Sequence, residues 1–507
     1  MQATYEASST RPVSDTRSIT PALYWGAMLA IVLVGLGLRI YNLDGMDMWT
    51  DEVLTAFRAR APLSDSMDST LSAGNQAPLY YLIARLVPND TQLLLRMPAL
   101  LMGLAGIALL IHTVRWLYDD PVLGLTVGAL LAVNPMHVIL ARTARFYMLL
   151  FLLSLATTVC FLLILRGNRS RSMWLLFAVS SMFAYLTHYS ALALPATQFM
   201  IMALDRKTWP LLLRWIPVQI MAGFPFVMWV GFAVSSTETS GFLYNPQIPS
   251  FGDLPITYTN LVTGYWGEWT WVALPGIIIA GVGLAVGAIH LVRNWQTNRE
   301  MFYWFLLGTV PIITLFGIGI LLEGKYKDRY FVVSIPAVLL IFATGLQRLP
   351  QQWRTVALGI VLATGIYQTV DLYRSGDYQR TEWSDAANYV EANLQPGDNI
   401  LFARWSTAEA FITYFDGDPA LLETSLYLDA TPDTAEFEAR SERMWIIYRT
   451  QYEHMHRQGW VHDFDAMGTG ISPMSDWLIE RETRILDEYT VNGVHIYLVE
   501  GTSSGDS

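Results

Sequence analysis

Residues 22–53 read ALYWGAMLAIVLVGLGLRIYNLDGMDMWTDEV, an apolar run followed at once by a short acidic segment. A helix of about 20 apolar residues is long enough to cross a hydrocarbon core of roughly 30 Å. The run is too long for a signal-peptide core and lacks a small-residue cleavage site, so we expect a retained span. Asp51 and Glu52 therefore stand near a membrane surface, where a carboxylate is costly to desolvate and indicates function by default.

The composition extends the apolar pattern to most of the 507 residues. Apolar residues make up 53% of the chain and charged residues 15%, which indicates an integral membrane protein rather than several soluble domains. Residues 1–20 are polar, and we interpret them as a disordered tail. Cys160 is the only cysteine, so a disulfide within the chain and a cysteine zinc site are excluded.

We predict a mainly α-helical, polytopic membrane domain over residues 21–374, with about 11 transmembrane helices. The predicted spans lie at 22–41, 93–117, 121–140, 146–166, 172–187, 189–204, 211–235, 269–293, 301–322, 330–346 and 354–373. Within the first loop, the apolar segment 77–87 is too short to span. We therefore expect it to lie as a helix in the membrane interface, with Tyr80 and Tyr81 at the headgroups.

The orientation follows from the lysine and arginine residues of the short loops. If the N-terminus is cytoplasmic, the inner loops hold Arg115, Arg166, Arg169, Arg171, Arg206, Lys207, Arg293, Arg299, Arg348 and Arg354, which satisfies the positive-inside rule. This orientation in the plasma membrane places the Asp51-Glu52 loop and the C-terminus outside the cytoplasm.

Residues 375–507 differ in composition and are predicted to form a small extracytoplasmic α/β domain. Residues 377–507 hold 24 of the 43 acidic residues, with 8 arginines and no lysine, which argues against a nucleic-acid partner. The pattern predicts helices at 384–394, 407–415 and 475–481 and strands at 399–403 and 444–449. A hairpin is predicted at 484–489 and 494–499, with Asn492-Gly493 as its turn.

The acidic pair suits a general base, because a partly desolvated carboxylate can take a proton from a hydroxyl. Two alternatives stay open for the pair. Thr50 or Asp51 could instead cap a helix that runs through Phe57, or the pair could be solvated loop acids. The two carboxylates could also hold a divalent cation, a choice that the sequence leaves open.

Cations gather in two other outer loops, where the positive-inside rule disfavours them. Lys325, Lys327 and Arg329 lie in one loop, and Arg142 and Arg145 lie in another. They suit a phosphate headgroup, which arginine can bind at two points and lysine as a point charge. One alternative is an ordinary tight loop whose positive charges are partly balanced by neighbouring acids. For Arg142 and Arg145, the alternative is that the side chains snorkel to the membrane interface.

A base and several cations on one membrane face fit the transfer of a group from a lipid-linked phosphate. The base would deprotonate an acceptor hydroxyl, and the cations would stabilise the leaving phosphate. His188, in a short turn between two spans, is a weaker candidate, since a lone histidine there is more often structural. The sequence contains no Gly-rich phosphate loop or His-x-x-x-His pair, so ATP use and a structural zinc are not indicated.

Several motifs, in order, resemble those of the GT-C membrane glycosyltransferases, the group that includes protein O-mannosyltransferases and aminoarabinose transferases of lipid A. They are Asp51-Glu52, Ala77-Pro-Leu-Tyr-Tyr-Leu82, Leu95-Arg-Met-Pro-Ala99, Ala144-Arg-Phe-Tyr-Met148, Thr187-His-Tyr-Ser190, Arg329-Tyr-Phe with Pro336, and Trp383-Ser-Asp-Ala-Ala-Asn-Tyr389 with Pro396-Gly-Asp398. The resemblance runs from about residue 25 to 405. The chain departs from the group at Ala77, which replaces a proline, and at Asn75-Gln76, where many members carry a basic residue or histidine.

The resemblance implies the GT-C fold and a sugar, hexose or pentose, that passes from a polyprenyl-phosphate donor to a hydroxyl of a protein, lipid or glycan, with inversion. It implies Asp51 as the base and Glu52 as an orienting or second acid. The donor phosphate would bind Lys325, Lys327 and Arg329 with Arg142 or Arg145. The cavity would be lined by Pro78, Tyr81, His188, Tyr189 and Tyr330.

Two rival functions would use the same donors. A lipid-linked sugar flippase would need charged groups within its spans, facing a cavity, whereas the predicted spans are nearly free of charge and their basic residues lie mainly at the ends. An inverted repeat, typical of a transporter, is not visible in the sequence either. A polysaccharide polymerase would differ in its acceptor, which is a growing glycan.

Overall fold

The structure is a computed structural model that describes residues 19–72, 76–236, 248–264, 271–321, 326–375, 382–402, 405–418, 426–427, 443–449, 484–491 and 494–500. The helices before residue 376 are α1 (Pro21–Ile40), α2 (Thr50–Arg60), α3 (Leu63–Ser72), α4 (Leu79–Arg85), α5 (Gln92–Tyr118), α6 (Pro121–Val133), α7 (Pro135–Ala141), α8 (Tyr147–Leu165), α9 (Arg171–Tyr185), α10 (Ala193–Leu204), α11 (Trp209–Ser236), α12 (Asp253–Thr263), α13 (Leu274–Arg293), α14 (Arg299–Leu321), α15 (Ile335–Leu346) and α16 (Gln351–Ser375). Short 3-10 helices cover Tyr189–Leu192, Arg206–Thr208 and Asp328–Ser334.

The described helices confirm a multi-pass, mainly helical membrane protein. Eight of them are long and apolar enough to cross a membrane, and a ninth span results if α6 and α7, which meet at 64°, are counted together. All 11 predicted runs contain helix, but α9 has 15 residues and the apolar segment that includes α10 covers only Tyr189–Leu204. Both are shorter than the roughly 17 residues that a span needs, which explains the lower number.

Polar residues followed by proline set where several membrane helices begin. The Thr20 side chain accepts the Leu23 amide at the start of α1, and Pro21 takes the first helical position. Asp120-Pro121 and Asn134-Pro135 start α6 and α7 in the same way. A capping oxygen satisfies an amide that the helix leaves unpaired, and proline has no amide to satisfy there.

The bend between α6 and α7 interrupts the regular helical hydrogen bonds of backbone carbonyls inside the bundle. The buried Arg39 donates from Nη1 to the Ala132 carbonyl at 2.9 Å and from Nη2 to the Leu131 carbonyl at 3.3 Å. Unpaired backbone groups are costly within a membrane, so this arginine stabilises the bend. The chain after the bend then reaches the end of α1 and the start of α2, where the candidate site lies.

Two further helices and a mixed sheet form the C-terminal region. They are α17 (Trp383–Asn393), α18 (Trp405–Ile412), β1 (Asn399–Phe402), β2 (Leu426–Tyr427), β3 (Arg443–Arg449), β4 (Arg484–Val491) and β5 (Val494–Glu500). The strand order is β2-β1-β3-β5-β4; β1 is parallel to β2 and β3, whereas β5 is antiparallel to β3 and β4. The predicted α/β pattern is confirmed there, but the predicted helix 475–481 and the turn Asn492-Gly493 lie outside the described residues.

The prediction of an interfacial helix at 77–87 is wrong in one respect. The helix exists as α4, but Tyr80 and Tyr81 are 2% and 1% exposed, so they do not face headgroups. The Arg58 guanidinium of α2 lies 4.7 Å above the Tyr81 ring. The tyrosines are therefore part of the protein interior, and α4 packs against α2.

Candidate active site

Asp51 and Glu52 lie in the first turn of α2, where the positive end of the helix dipole stabilises their carboxylates. The predicted helix through Phe57 exists and begins at Thr50, but its N-cap residue is Trp49, which makes no side-chain capping bond, so neither Thr50 nor Asp51 is the cap. The two carboxylates have different surroundings. The Asp51 side chain is 33% exposed, whereas the Glu52 side chain is 4% exposed.

Glu52 forms a buried, two-point ion pair with Arg96 of α5. Arg96 Nε donates to Oε1 and Arg96 Nη2 to Oε2, both at 2.9 Å. Oε1 also accepts the backbone amide of Ala144 at 2.7 Å. Because both oxygens are engaged, Glu52 joins α2 to α5 and to the loop after α7. This arrangement supports an orienting role for Glu52 rather than a second catalytic acid.

Asp51 faces Arg145, which the loop between α7 and α8 carries. Arg145 Nη2 lies 3.8 Å from Asp51 Oδ2, and Nη1 donates to the Asp51 carbonyl at 3.3 Å. The same guanidinium binds the Tyr81 hydroxyl at 3.0 Å and Gln76 Oε1 at 3.2 Å. Tyr81 also donates to Gln76 Oε1 at 2.8 Å, so these two side chains orient Arg145 beside Asp51.

A second arginine, Arg329, enters the same cluster from the 3-10 helix Asp328–Ser334. It is 8% exposed, and its guanidinium carbon lies 5.3 Å from the ring centroid of Trp49, just before α2. It also lies close enough to Arg145 for the two positive charges to repel each other. Two buried arginines that repel each other favour an anion between or beside them.

The position of Arg329 depends on its neighbour Asp328, which is bound to α12. The Thr257 hydroxyl donates to Asp328 Oδ1 at 2.6 Å, and the Asn260 amide donates to Oδ2 at 2.5 Å. The Tyr326 hydroxyl donates to Thr257 at 3.0 Å. Asp328 therefore holds the turn against α12, and its role is not limited to balancing the positive charges of the turn.

His188 lies beside both arginines, between two aromatic rings. Its ring stacks on Phe146 at 4.3 Å and lies 5.4 Å from Tyr330. Its Nδ1 accepts the backbone amide of Ser190 at 3.2 Å. Burial, together with the positive charges of Arg145 and Arg329, lowers the His188 pKa to about 3. The neutral ring then carries its proton on Nε2, which makes that nitrogen a hydrogen-bond donor.

The remaining predicted residues fall in different places. Tyr189 is half-buried and meets Phe226, Tyr330 is half-buried beside His188, Pro78 is buried at the start of α4, and Lys327 is half-buried at the start of the 3-10 helix. Lys325 lies outside the described residues.

Arg142 points away from the Asp51 cluster. It donates from Nη1 to the carbonyls of Arg39 and Tyr41, at 3.0 and 2.5 Å, at the C-terminal end of α1. Its guanidinium also lies 4.6 Å from the ring centroid of Tyr373. These contacts give Arg142 a structural position, and of the two arginines it is Arg145 that faces Asp51.

The contacts of Glu52 bear on the divalent cation that the sequence left open for the Asp51-Glu52 pair. Both Glu52 oxygens accept from the Arg96 guanidinium, whose charge would repel a cation. Among the described residues, no group of three or more His, Cys, Asp and Glu side chains could hold a metal ion.

Comparisons with known proteins identify the fold. No family model matches the chain, and no curated protein matches its sequence. Two structures of ArnT from Cupriavidus metallidurans match at 14% identity over 95% of this chain and 99% of theirs, with TM-scores of 0.57 in the apo state and 0.53 bound to undecaprenyl phosphate. The chain has the GT-C fold.

An archaeal protein shares this fold. The oligosaccharyltransferase AglB from Archaeoglobus fulgidus, in complex with an inhibitory peptide and a dolichol-phosphate, matches with a TM-score of 0.52 at 10% identity. The match covers 84% of this chain and 69% of AglB. Both neighbours are GT-C glycosyltransferases, so the predicted fold is confirmed.

Sequence reasoning missed three residues of this candidate site. Gln76 orients Arg145, Trp49 faces Arg329, and Arg96 holds Glu52. A signal existed for Arg96, because an arginine near the start of an apolar helix needs a buried partner or a route to the surface. No local pattern marks Gln76 or Trp49, because the arginines that they contact lie at least 69 residues away along the chain.

Proposed function

We propose that the protein is a membrane glycosyltransferase that moves a sugar from a polyprenyl-phosphate-linked donor to an acceptor hydroxyl on the extracytoplasmic face. The observation that carries this proposal is the cluster in which Asp51 faces Arg145 and Arg329 lies against the ring of Trp49, two residues before Asp51. The undecaprenyl phosphate and dolichol-phosphate bound by the structural neighbours support a lipid phosphate as the anion.

In the proposed reaction, the acceptor oxygen bonds to the anomeric carbon while the bond from that carbon to the phosphate oxygen breaks. The configuration at the anomeric carbon inverts. Asp51 takes the hydroxyl proton, and the electron pair of the broken bond stays on the departing polyprenyl phosphate. Arg145 and Arg329 stabilise the negative charge as it develops, which lowers the barrier.

The lysine and arginine distribution supports a cytoplasmic N-terminus and an extracytoplasmic C-terminal region in the plasma membrane. The acceptor would be a protein, a lipid or a glycan outside the cytoplasm. A lipid donor suits that side, because charged nucleotide sugars stay in the cytoplasm.

The proposal is tested in a strain that lacks the protein. We expect mass analysis to show the loss of one glycoconjugate and the accumulation of its polyprenyl-phosphate donor. The wild-type gene should restore the product, and the Asp51→Asn variant should not. Lipid translocation by the purified protein in vesicles, without release of the sugar, would instead identify a flippase.

Arg329→Ala should raise the KM for the lipid donor by about 10- to 100-fold, because a hydrogen bond to a charged group contributes about 1.5–3 kcal/mol. The donor KM of Arg329→Lys should lie between those of the wild type and Arg329→Ala, since lysine keeps the charge and loses the two-point contact. Steady-state kinetics with varied donor would measure the change.

The matched control is Arg60→Ala, which removes an exposed arginine of α2 whose contact is the Asn89 carbonyl. It should leave the donor KM unchanged. An Arg329→Ala variant that alters the acceptor KM and not the donor KM would contradict the phosphate role.

His188 is expected to donate a hydrogen bond from Nε2 to the donor phosphate. His188→Asn keeps a side-chain oxygen that can accept the Ser190 amide, and it removes the Nε2 donor. It should raise the donor KM about tenfold while the turn stays folded. His188→Gln places an amide nitrogen near the Nε2 position and should recover part of the affinity.

The pH dependence of the donor KM distinguishes a neutral His188 ring, which donates one hydrogen bond at every pH, from a charged ring that loses its proton as the pH rises. The lowered His188 pKa of about 3 keeps the ring neutral at every pH above about 4. The ratio of donor KM values for His188→Asn and wild type should therefore be constant from about pH 5 to 8. A ratio that changes across about pH 6–7, near the ordinary histidine pKa, would contradict a neutral donor.

A further inference from the structure

The C-terminal α/β region packs directly on the helix that carries Asp51. Val53 and Ala56 of α2 share one buried apolar cluster with Ala408 and Phe411 of α18. All four side chains are at most 3% exposed. Ala56 and Ala408 are small residues, which allow the two helices to approach closely.

Two hydrogen bonds hold the segment that leads into α2. The Tyr414 hydroxyl, just after α18, accepts the Met48 amide at 2.6 Å. It also lies 3.3 Å from Gln92 Oε1, to which it donates. Asp47 Oδ2 accepts the Ser384 amide in the first turn of α17 at 2.7 Å, where the helix dipole favours a carboxylate.

The membrane domain holds the same segment from the other side. Arg96 donates to the carbonyls of Leu43, Met46 and Asp47, at 2.7, 2.9 and 3.0 Å, as well as to Glu52. The chain from residue 43 to 52 is therefore fixed between Arg96 below and the α/β region above. Asp51 follows directly from this clamped segment, and its carboxylate points to Arg145.

We propose that the C-terminal α/β region is a positioning element for the Asp51 carboxylate, and that Tyr414 and Asp47 are its positioning residues. The inference rests on the proposed function, in which Asp51 is the base. A reacting group displaced by about 1 Å can lose about 100-fold in rate even when the cause lies far from the chemistry. The hydrogen bonds of the two positioning residues go to Met48, Gln92 and Ser384 rather than to the arginines that would hold the phosphate, so we expect donor binding to be independent of them.

Tyr414→Phe tests the positioning role, because it removes one hydroxyl and keeps the ring. We expect kcat per folded molecule to fall about tenfold, with the donor KM unchanged. Tyr389→Phe is the matched control, since the Tyr389 hydroxyl bonds to Asp487 at 2.5 Å within the same region and away from α2. The control should have the kcat of the wild type.

Asp47 provides a second test with a conservative rescue. Asp47→Ala removes the acceptor for the Ser384 amide and should lower kcat in the same way. Asp47→Asn keeps an oxygen acceptor and should recover most of the loss. Combined with Asp51→Asn, the Tyr414→Phe change should cause no further loss, because it acts only through Asp51.

The inference is overturned if Tyr414→Phe only lowers the yield or the Tm and leaves kcat unchanged. It is also overturned if the donor KM rises instead of kcat falling, or if Tyr389→Phe has the same effect. These results are distinct from failure of the proposed function, which would appear as full transfer by Asp51→Asn whatever residue occupies position 414.

Discussion

Asp51→Asn should lower transfer by about 10²- to 10⁴-fold, the range that a general base contributes. Asparagine has nearly the same shape as aspartate and cannot accept the hydroxyl proton. The fold should survive, because the Thr55 hydroxyl and Arg145 Nη1 both donate to the backbone carbonyl of residue 51, at 2.9 and 3.3 Å. The measurement is kcat with a labelled lipid donor at a saturating concentration.

Asp44→Asn is the control for this experiment. Asp44 is an exposed acid in the same loop, seven residues before Asp51, and its amide variant should transfer sugar like the wild type. Asp51→Asn should also bind the polyprenyl phosphate with undiminished affinity, because the arginines are intact. Normal turnover by Asp51→Asn would remove the base assignment and leave the arginine cluster to be explained as a binding site only.

Glu52→Gln should destabilise the fold by about 3–5 kcal/mol, because it leaves the buried charge of Arg96 without its partner. The wild-type pair is nearly inaccessible, with side chains 2% and 4% exposed. Replacing Arg96 as well should not restore stability, since Arg96 also donates to the carbonyls of Met46 and Asp47. Denaturant titration in detergent micelles would measure the free energy of unfolding.

Glu300→Gln is the matched control, because Glu300 pairs with Arg166 at 2.5 Å and the two side chains are 28% and 32% exposed. A solvated pair contributes only about 0–1 kcal/mol, so this variant should unfold nearly like the wild type. If Glu52→Gln kept its stability and lost transfer, Glu52 would be a direct participant in the reaction rather than an orienting residue.

The long helices were predictable because their causes are local. Apolar runs of spanning length and starts such as Asp120-Pro121 act over a few residues, and α6 begins where they indicate. The number of spans was less predictable, since α9 is shorter than its apolar run suggested. The burial of Tyr80 and Tyr81 was also missed, because composition cannot separate a tyrosine at the headgroups from one packed under a neighbouring helix.

The sequence by itself determined the class of protein and the residue types available on one membrane face. Hydropathy and charge placement need no knowledge of distant contacts, and they indicated acids and cations in separate loops on the same membrane face. Only the tertiary structure decided which of those residues bind groups of the protein and which lie beside Asp51. Arg142 and Arg145 are three positions apart, yet one binds carbonyls of α1 and the other lies beside Asp51. The partners that orient each side chain lie tens of residues away along the chain, so its role depends on how the helices pack together.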